Sequence, residues 1–168
     1  MKNIIFLSSM PTSYVTYLKK MLKKLDYKKI IFLIDFQDGL QDNLSKKTER
    51  ILKSNFKEVE IVHIGTQEVE RKIDEYYKDS ENFFIVELDS SKKIMYYFLN
   101  KKSKGEERKN IYYIVSDKEC TELANTYLNK QHILVPDFRL EGEFLFESYE
   151  NLQKLKELEK EMEKFTYN

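Results

Sequence analysis

The chain has 168 residues, of which 41% are hydrophobic and 35% charged, a size that fits one domain with a real core. Its 29 Lys+Arg balance 29 Asp+Glu, so no global field draws in a polyanion such as double-stranded nucleic acid. An aromatic share of 14% argues against disorder, and 4 Gly with 2 Pro exclude collagen-like and Gly/Pro-rich classes.

In chain order, residues 4–7 (Ile-Ile-Phe-Leu) form an unbroken apolar run, the pattern of a strand covered on both faces. A polar turn, residues 8–13, follows. Val15, Leu18, Met21, Leu22 and Leu25 then recur at helical spacing, with Lys19, Lys20, Lys23 and Lys24 on the solvated side. Residues 30–34 predict a second buried strand ended by Asp35, and residues 37–42 a loop. A helix is predicted over about 45–56, a strand over 59–64 ending at Gly65-Thr66, and a helix over 67–77. Residues 83–88 predict a fourth strand, residues 89–93 a turn into a helix through Met95, Phe98 and Leu99, and residues 111–115 a fifth strand. This alternation predicts an α/β fold: a Rossmann-like open, mainly parallel sheet with helices on both faces.

The last third is less regular. Residues 121–129 and 131–135 fit either a hairpin or a short helix and strand, and Pro136-Asp137 reads as a turn. Leu152, Leu155, Leu158, Met162 and Phe165 form an apolar stripe among Lys and Glu, the pattern of an amphipathic helix. The organisation is thus a Rossmann-like domain over 1–145 and a C-terminal amphipathic helix over 146–168. That helix packs on its own domain, forms a dimer seam, or serves as a tether.

Cys120 stands alone, which excludes an internal disulfide and any Cys-based metal cluster and suits a reducing cytoplasm. No apolar run approaches the roughly 18 residues of a membrane helix. The apolar start is too short for a signal peptide and reads as a strand, so a cytoplasmic location without membrane contact is expected. In open α/β sheets ligands bind beyond the carboxyl ends of the strands. Four turns qualify: residues 8–13, 35–37, 65–66 and 89–93. Ser8, Ser9, Met10, Pro11, Thr12 and Ser13 offer hydroxyls and helix-start amides, which suit phosphate; Asp89, Ser90 and Ser91 add the same, with the ammonium groups of Lys92 and Lys93. Helix capping alone also explains such turns. No Gly-x-Gly-x-x-Gly, Gly-x-x-x-x-Gly-Lys-Ser/Thr or Gly-x-Ser-x-Gly pattern is present, which weakens nicotinamide, P-loop and hydrolase readings. His63 and His132 lack partners at metal-ligand spacing, and Glu147 and Glu150 lack an acid–base partner pattern, so neither a metal nor a cofactor is expected.

These stretches resemble the CARF domain, the Rossmann-like sensor of type III CRISPR systems, and most of all the sensor half of CARF–nuclease effectors. A first strand leads through a Ser/Thr-bearing loop into a helix over residues 4–25. The turn after the fourth strand, Glu87-Leu88-Asp89-Ser90-Ser91-Lys92-Lys93-Ile94-Met95, sits where the family often has Asn-x-Thr-Gly-Gly-Thr-Lys-x-Met. The Tyr-rich strand at 111–114 also has its counterpart. Lys93 and Met95 match the family's Lys and Met, whereas Asp89, Ser90 and Ser91 replace Thr and both Gly.

The resemblance implies a homodimer that binds cyclic oligoadenylate, cyclic tetra-adenylate foremost, across its two-fold axis as an antiviral sensor. Lys92 or Lys93 would hold phosphates, and Ser9, Thr12 and Ser13 would reach ribose or phosphate. Met10 and Phe36 would pack on adenine, with Asp35, Gln37 and Met95 completing the site. A downstream effector would be reached through the C-terminal helix. Two alternatives stand beside this reading. One is a ring nuclease, in which a 2′-hydroxyl attacks the adjacent phosphate without metal, assisted by Lys92, Lys93 and Ser9. The other is an unrelated Rossmann-like nucleotide-binding enzyme.

Overall fold

A computed structural model describes residues 2–23, 27–35, 42–65, 67–88, 92–115, 117–138, 144–146 and 148–167. Lys24, Leu25 and Thr66, named above, lie outside them. Six strands form one sheet: β1 Asn3–Ser8, β2 Lys29–Asp35, β3 Val59–Ile64, β4 Phe83–Leu88, β5 Ile111–Val115 and β6 Ile133–Leu134. Every pairing is parallel, and the order is β3-β2-β1-β4-β5-β6. The fold is therefore the Rossmann-like α/β arrangement expected. The helices are α1 Val15–Leu22, α2 Asp42–Asn55, α3 Val69–Tyr77, α4 Lys93–Ser103, α5 Lys118–Tyr127 and α6 Tyr149–Tyr167. A 3₁₀ turn over Pro11–Tyr14 precedes α1, with Pro11 opening it, where a missing amide hydrogen costs nothing.

The apolar runs of β1, β2, β4 and β5 are continuous because these strands bury both faces, whereas β3, at the sheet edge, is only half-buried. Ile5, Leu7, Ile31, Leu33, Phe84, Val86 and Tyr113 point to one side, where Val69 and Ile73 of α3, Phe98 of α4 and Ala124 of α5 cover them. Ile4, Phe6, Ile30, Phe32, Phe83, Ile85, Tyr112 and Leu134 point to the other, beneath Leu18 and Met21 of α1, Leu52 of α2, and Leu158 and Met162 of α6. The helices change sides where the strand order reverses. The chain winds outward from β1 through β3, then crosses back to β4 and winds the other way. Crossovers of one hand then place α1 and α2 on one face and α3 to α5 on the opposite one.

The open choice at 121–135 resolves as helix plus strand: α5, a 3₁₀ turn over Lys130–His132, and the two-residue β6. Pro136-Asp137 was expected to be a turn; instead, Asp137 belongs to β7 Asp137–Phe138, which pairs antiparallel with β8 Phe144–Leu145. Residue 146 then brings Phe146 against the Tyr14 and Tyr17 rings.

The C-terminal helix forms, but its buried face is rotated from the expected stripe. Leu158 and Met162 are in the core, Leu155 is half-buried, and Leu152 is 46% exposed. Asn151 takes the inner position in that turn. Its amide accepts from the Val135 N–H at 3.1 Å and donates to the Val135 carbonyl at 2.5 Å, continuing the hydrogen bonding just past β6. The Phe165 side chain lies outside the description. Leu158→Ala should therefore cost about 2–5 kcal/mol of stability, the range for truncating a buried leucine. Leu152→Ala should stay within about 0.5 kcal/mol, as for an exposed site. Urea unfolding of the two variants measures the contrast.

Candidate functional site

β1 has β2 on one side and β4 on the other, with Ser8 beside Ile34 and Leu7 beside Val86. The chain leaves β1 toward α1 and β4 toward α4, on opposite faces of the sheet. This reversal opens a crevice beyond the carboxyl ends of β1 and β4, where ligands of such sheets bind. The loop at residues 8–13 and the start of α4 flank it.

The crevice has a polar floor. Glu87, the fifth residue of β4, is only 3% exposed. Its Oε1 accepts from the buried Ser8 hydroxyl at 2.9 Å, and its Oε2 accepts from the buried Tyr14 hydroxyl. Burial, then the Glu87 charge, push the Tyr14 hydroxyl far above the usual tyrosine range, so it stays protonated as a donor. Ser8 Oγ also accepts from the Met10 N–H at 2.9 Å, which bends the chain out of β1 into the loop. One carboxylate thus fastens the β1 loop to the end of β4.

The predicted residues fall into three groups. Ser9, Thr12 and Ser13 are half-buried and Met10 is exposed, so these can meet a ligand. Asp35 sits at the end of β2 and Lys93 is the first residue of α4. Lys92 caps that helix with φ 61°, in the left-handed region that non-glycine residues seldom adopt. Its ammonium pairs with Glu119 of α5, and that hydrogen bond raises its pKa.

A second group is spent on the interior. Ser8 holds Glu87, Pro11 is buried, and Met95 is fully buried among the side chains of α3 to α5. These were expected at the ligand; their burial makes them support instead. Phe36, Gln37, Asp89, Ser90, Ser91 and Glu147 lie outside the described residues. Glu87, Tyr14 and Glu119 were not singled out. The signal for Glu87 was present: a lone carboxylate in the otherwise apolar run Phe83–Leu88.

Two other polar clusters differ in kind. Ser45 Oγ at 3.4 Å and Glu49 Oε1 at 2.8 Å both lie against Nε2 of His63. A nucleophile–base relay needs serine and acid on different ring nitrogens. At the amino end of β5, a cavity of about 350 Å³ is lined by residues that include Arg108, Tyr113, His132 and Glu161. Its polar groups tie the fold together. Arg108 donates to the Tyr77 and Asp79 carbonyls at 2.5 and 2.6 Å, and His132 Nδ1 meets the Ile111 carbonyl at 2.8 Å while its ring stacks on Tyr112.

No family model and no curated protein matches the chain. Among solved structures it is similar to glucose-6-phosphate 1-dehydrogenase from Mycobacterium avium, with TM-score 0.47 and 11% identity. The match covers 82% of this chain and 36% of that one, so the chain spans little more than a third of that enzyme's length. Strand order and crevice place this protein among the Rossmann-like α/β domains. No described helix is long and apolar enough to cross a membrane.

Tyr14→Phe removes one hydrogen bond to a buried charge while keeping the ring in the core. It should lower stability by about 1.5–3 kcal/mol, the range for bonds to charged groups, measured by denaturant unfolding.

Proposed function

We propose that this chain is a CARF-type sensor module that binds cyclic oligoadenylate, cyclic tetra-adenylate foremost, as a homodimer at the β1–β4 crevice. The observation that carries the reading is the juxtaposition at that crevice. The Ser/Thr loop after β1 lies beside the lysine-bearing start of α4, in the two stretches that resemble the family's ligand turns. Ser9, Thr12 and Ser13 supply hydroxyls, and Lys93 supplies charge where a phosphodiester would sit. The left-handed Lys92 adds support, because strained backbone gathers at ligand clamps. Met10, 53% exposed, is placed to pack on a base.

A two-fold ligand on a two-fold dimer meets every contact twice, which suits a ring of identical nucleotides. In this reading the module belongs to a type III CRISPR antiviral response and passes occupancy to an effector. Leu158 and Met162 are used in the core, so the effector would meet the outer side of α6, where Tyr149 and Leu152 are exposed.

Lys93→Ala should weaken binding of cyclic tetra-adenylate by about 1–3 kcal/mol, the range for leaving a hydrogen-bonding partner unsatisfied. Calorimetry measures the affinity, and chromatography follows the ring. An intact ring with reduced affinity in the variant supports the sensor. Fragments ending in 2′,3′-cyclic phosphate would move the assignment to a ring nuclease. Absence of binding to cyclic tetra- and hexa-adenylate would transfer it to a different nucleotide ligand.

A further inference from the structure

We infer that His132 is a proton-operated latch for the C-terminal helix. With a proton on Nε2 the ring pairs with Glu161 and α6 stays closed on the sheet; when that proton leaves, the contact turns repulsive and α6 loosens. The latch stands at the amino end of β5, away from the crevice, and works without a ligand.

One contact fixes the tautomer. His132 Nδ1 lies 2.8 Å from the Ile111 carbonyl, and a carbonyl only accepts, so Nδ1 carries a hydrogen. A neutral imidazole has one N–H, which this bond uses, and Nε2 is left as a bare acceptor. Nε2 faces Glu161 Oε1 of α6 at 3.6 Å. A carboxylate also only accepts. The neutral ring therefore sets two acceptors against each other, and the imidazolium sets a cation against an anion. The ring is held in that orientation: it stacks on Tyr112 with centroids 4.3 Å apart, and its side chain is only 12% exposed.

The place of the pair gives it leverage. His132 ends the 3₁₀ turn that leads into β6, and Glu161 lies between Leu158 and Met162, the α6 residues in the core. Charges reach the ring from three sides. Glu161 comes from α6, with Glu157 acting on the stacked Tyr112; Glu107, Arg108 and Lys109 come from the residues before β5. The carboxylates favour a ring proton, and Arg108 and Lys109 oppose it. Burial, then the Glu161 charge, push the Tyr112 hydroxyl above the usual tyrosine range, so it stays neutral throughout. Glu107 and Lys109 are exposed and line the same cavity as His132, which gives the ring a path for proton exchange with solvent. Protonation favours the closed form. Docking of α6 is therefore strongest below the histidine range, about pH 6.5, and weakens as pH rises through it.

Hydrogen exchange of the α6 amides on the full chain tests the latch, read as protection factors from about pH 5.5 to 8. Protection in the unaltered protein should fall about twofold to fivefold as pH rises, the worth of a partly exposed ion pair. In Glu161→Gln the amide donates to a bare Nε2 and accepts from a protonated one, so protection should stay level with pH. His63, the other histidine, is paired with Glu49 in both proteins, so the comparison cancels it. An equal slope in the variant, or no slope in the unaltered protein, overturns the latch. Nitrogen NMR of the imidazole rings needs no variant: a neutral His132 protonated at Nδ1 supports the latch, and one protonated at Nε2 overturns it.

Discussion

The structure depends on one constraint: a parallel sheet must be dry on both faces. Its inner strands carry apolar side chains up and down, and neither set tolerates water. Because the chain reverses its winding between β3 and β4, α1 and α2 lie on one face and α3 to α5 on the other. On the first face that leaves Tyr112, Ile114 and Leu134 of β5 and β6 in need of a lid. α6 provides it through Leu158 and Met162. The C-terminal helix is thus a structural wall of the domain.

The same reversal creates the crevice, and the crevice explains the carboxylate inside β4. Beyond their last paired residues β1 and β4 lead to helices on opposite faces, and a side chain joins the two strand ends. Glu87 does so by accepting from Ser8 and Tyr14, both on the β1 side. The bond to Tyr14 also orients the 3₁₀ turn that carries Thr12 and Ser13. The floor is committed to holding shape, and the rim above it is the more exposed part. Ser9, Met10, Thr12 and Ser13 form one flank of that rim and Lys92 and Lys93 the other.

Most of the frame was legible in the residues because burial on both faces writes itself as unbroken apolar runs. The strands at 4–7, 30–34, 83–88 and 111–115 could scarcely be read otherwise. The segment of β6 was left open between a hairpin and a helix with a strand, because two residues make no pattern; β6 exists through its partners Tyr113 and Ile114. The helix stripe misled at Leu152, since heptad counting treats every leucine as buried. The first turn of α6 instead faces the exit of β6, where Asn151 satisfies the Val135 backbone better than a leucine would. The crevice was legible from where polar turns follow apolar runs, but which of its residues are buried was not. A serine that holds a buried glutamate and one that meets a ligand look alike in a sequence. Met95 matches a family position yet serves the core, because the first turn of α4 lies directly on the sheet.

The lid function of α6 also bears on how the molecule comes into being. A chain made from its amino end completes β1 to β6 before the residues that cover one half of the sheet have been joined on. Until Met162 is in place, Tyr112 and Leu134 lack their cover, and the two-residue β6 has neither Asn151 nor Leu158 to hold it. Synthesis and final closure are therefore separated by about a helix's worth of chain, a nascent state with one greasy flank whose lifetime is set by translation speed.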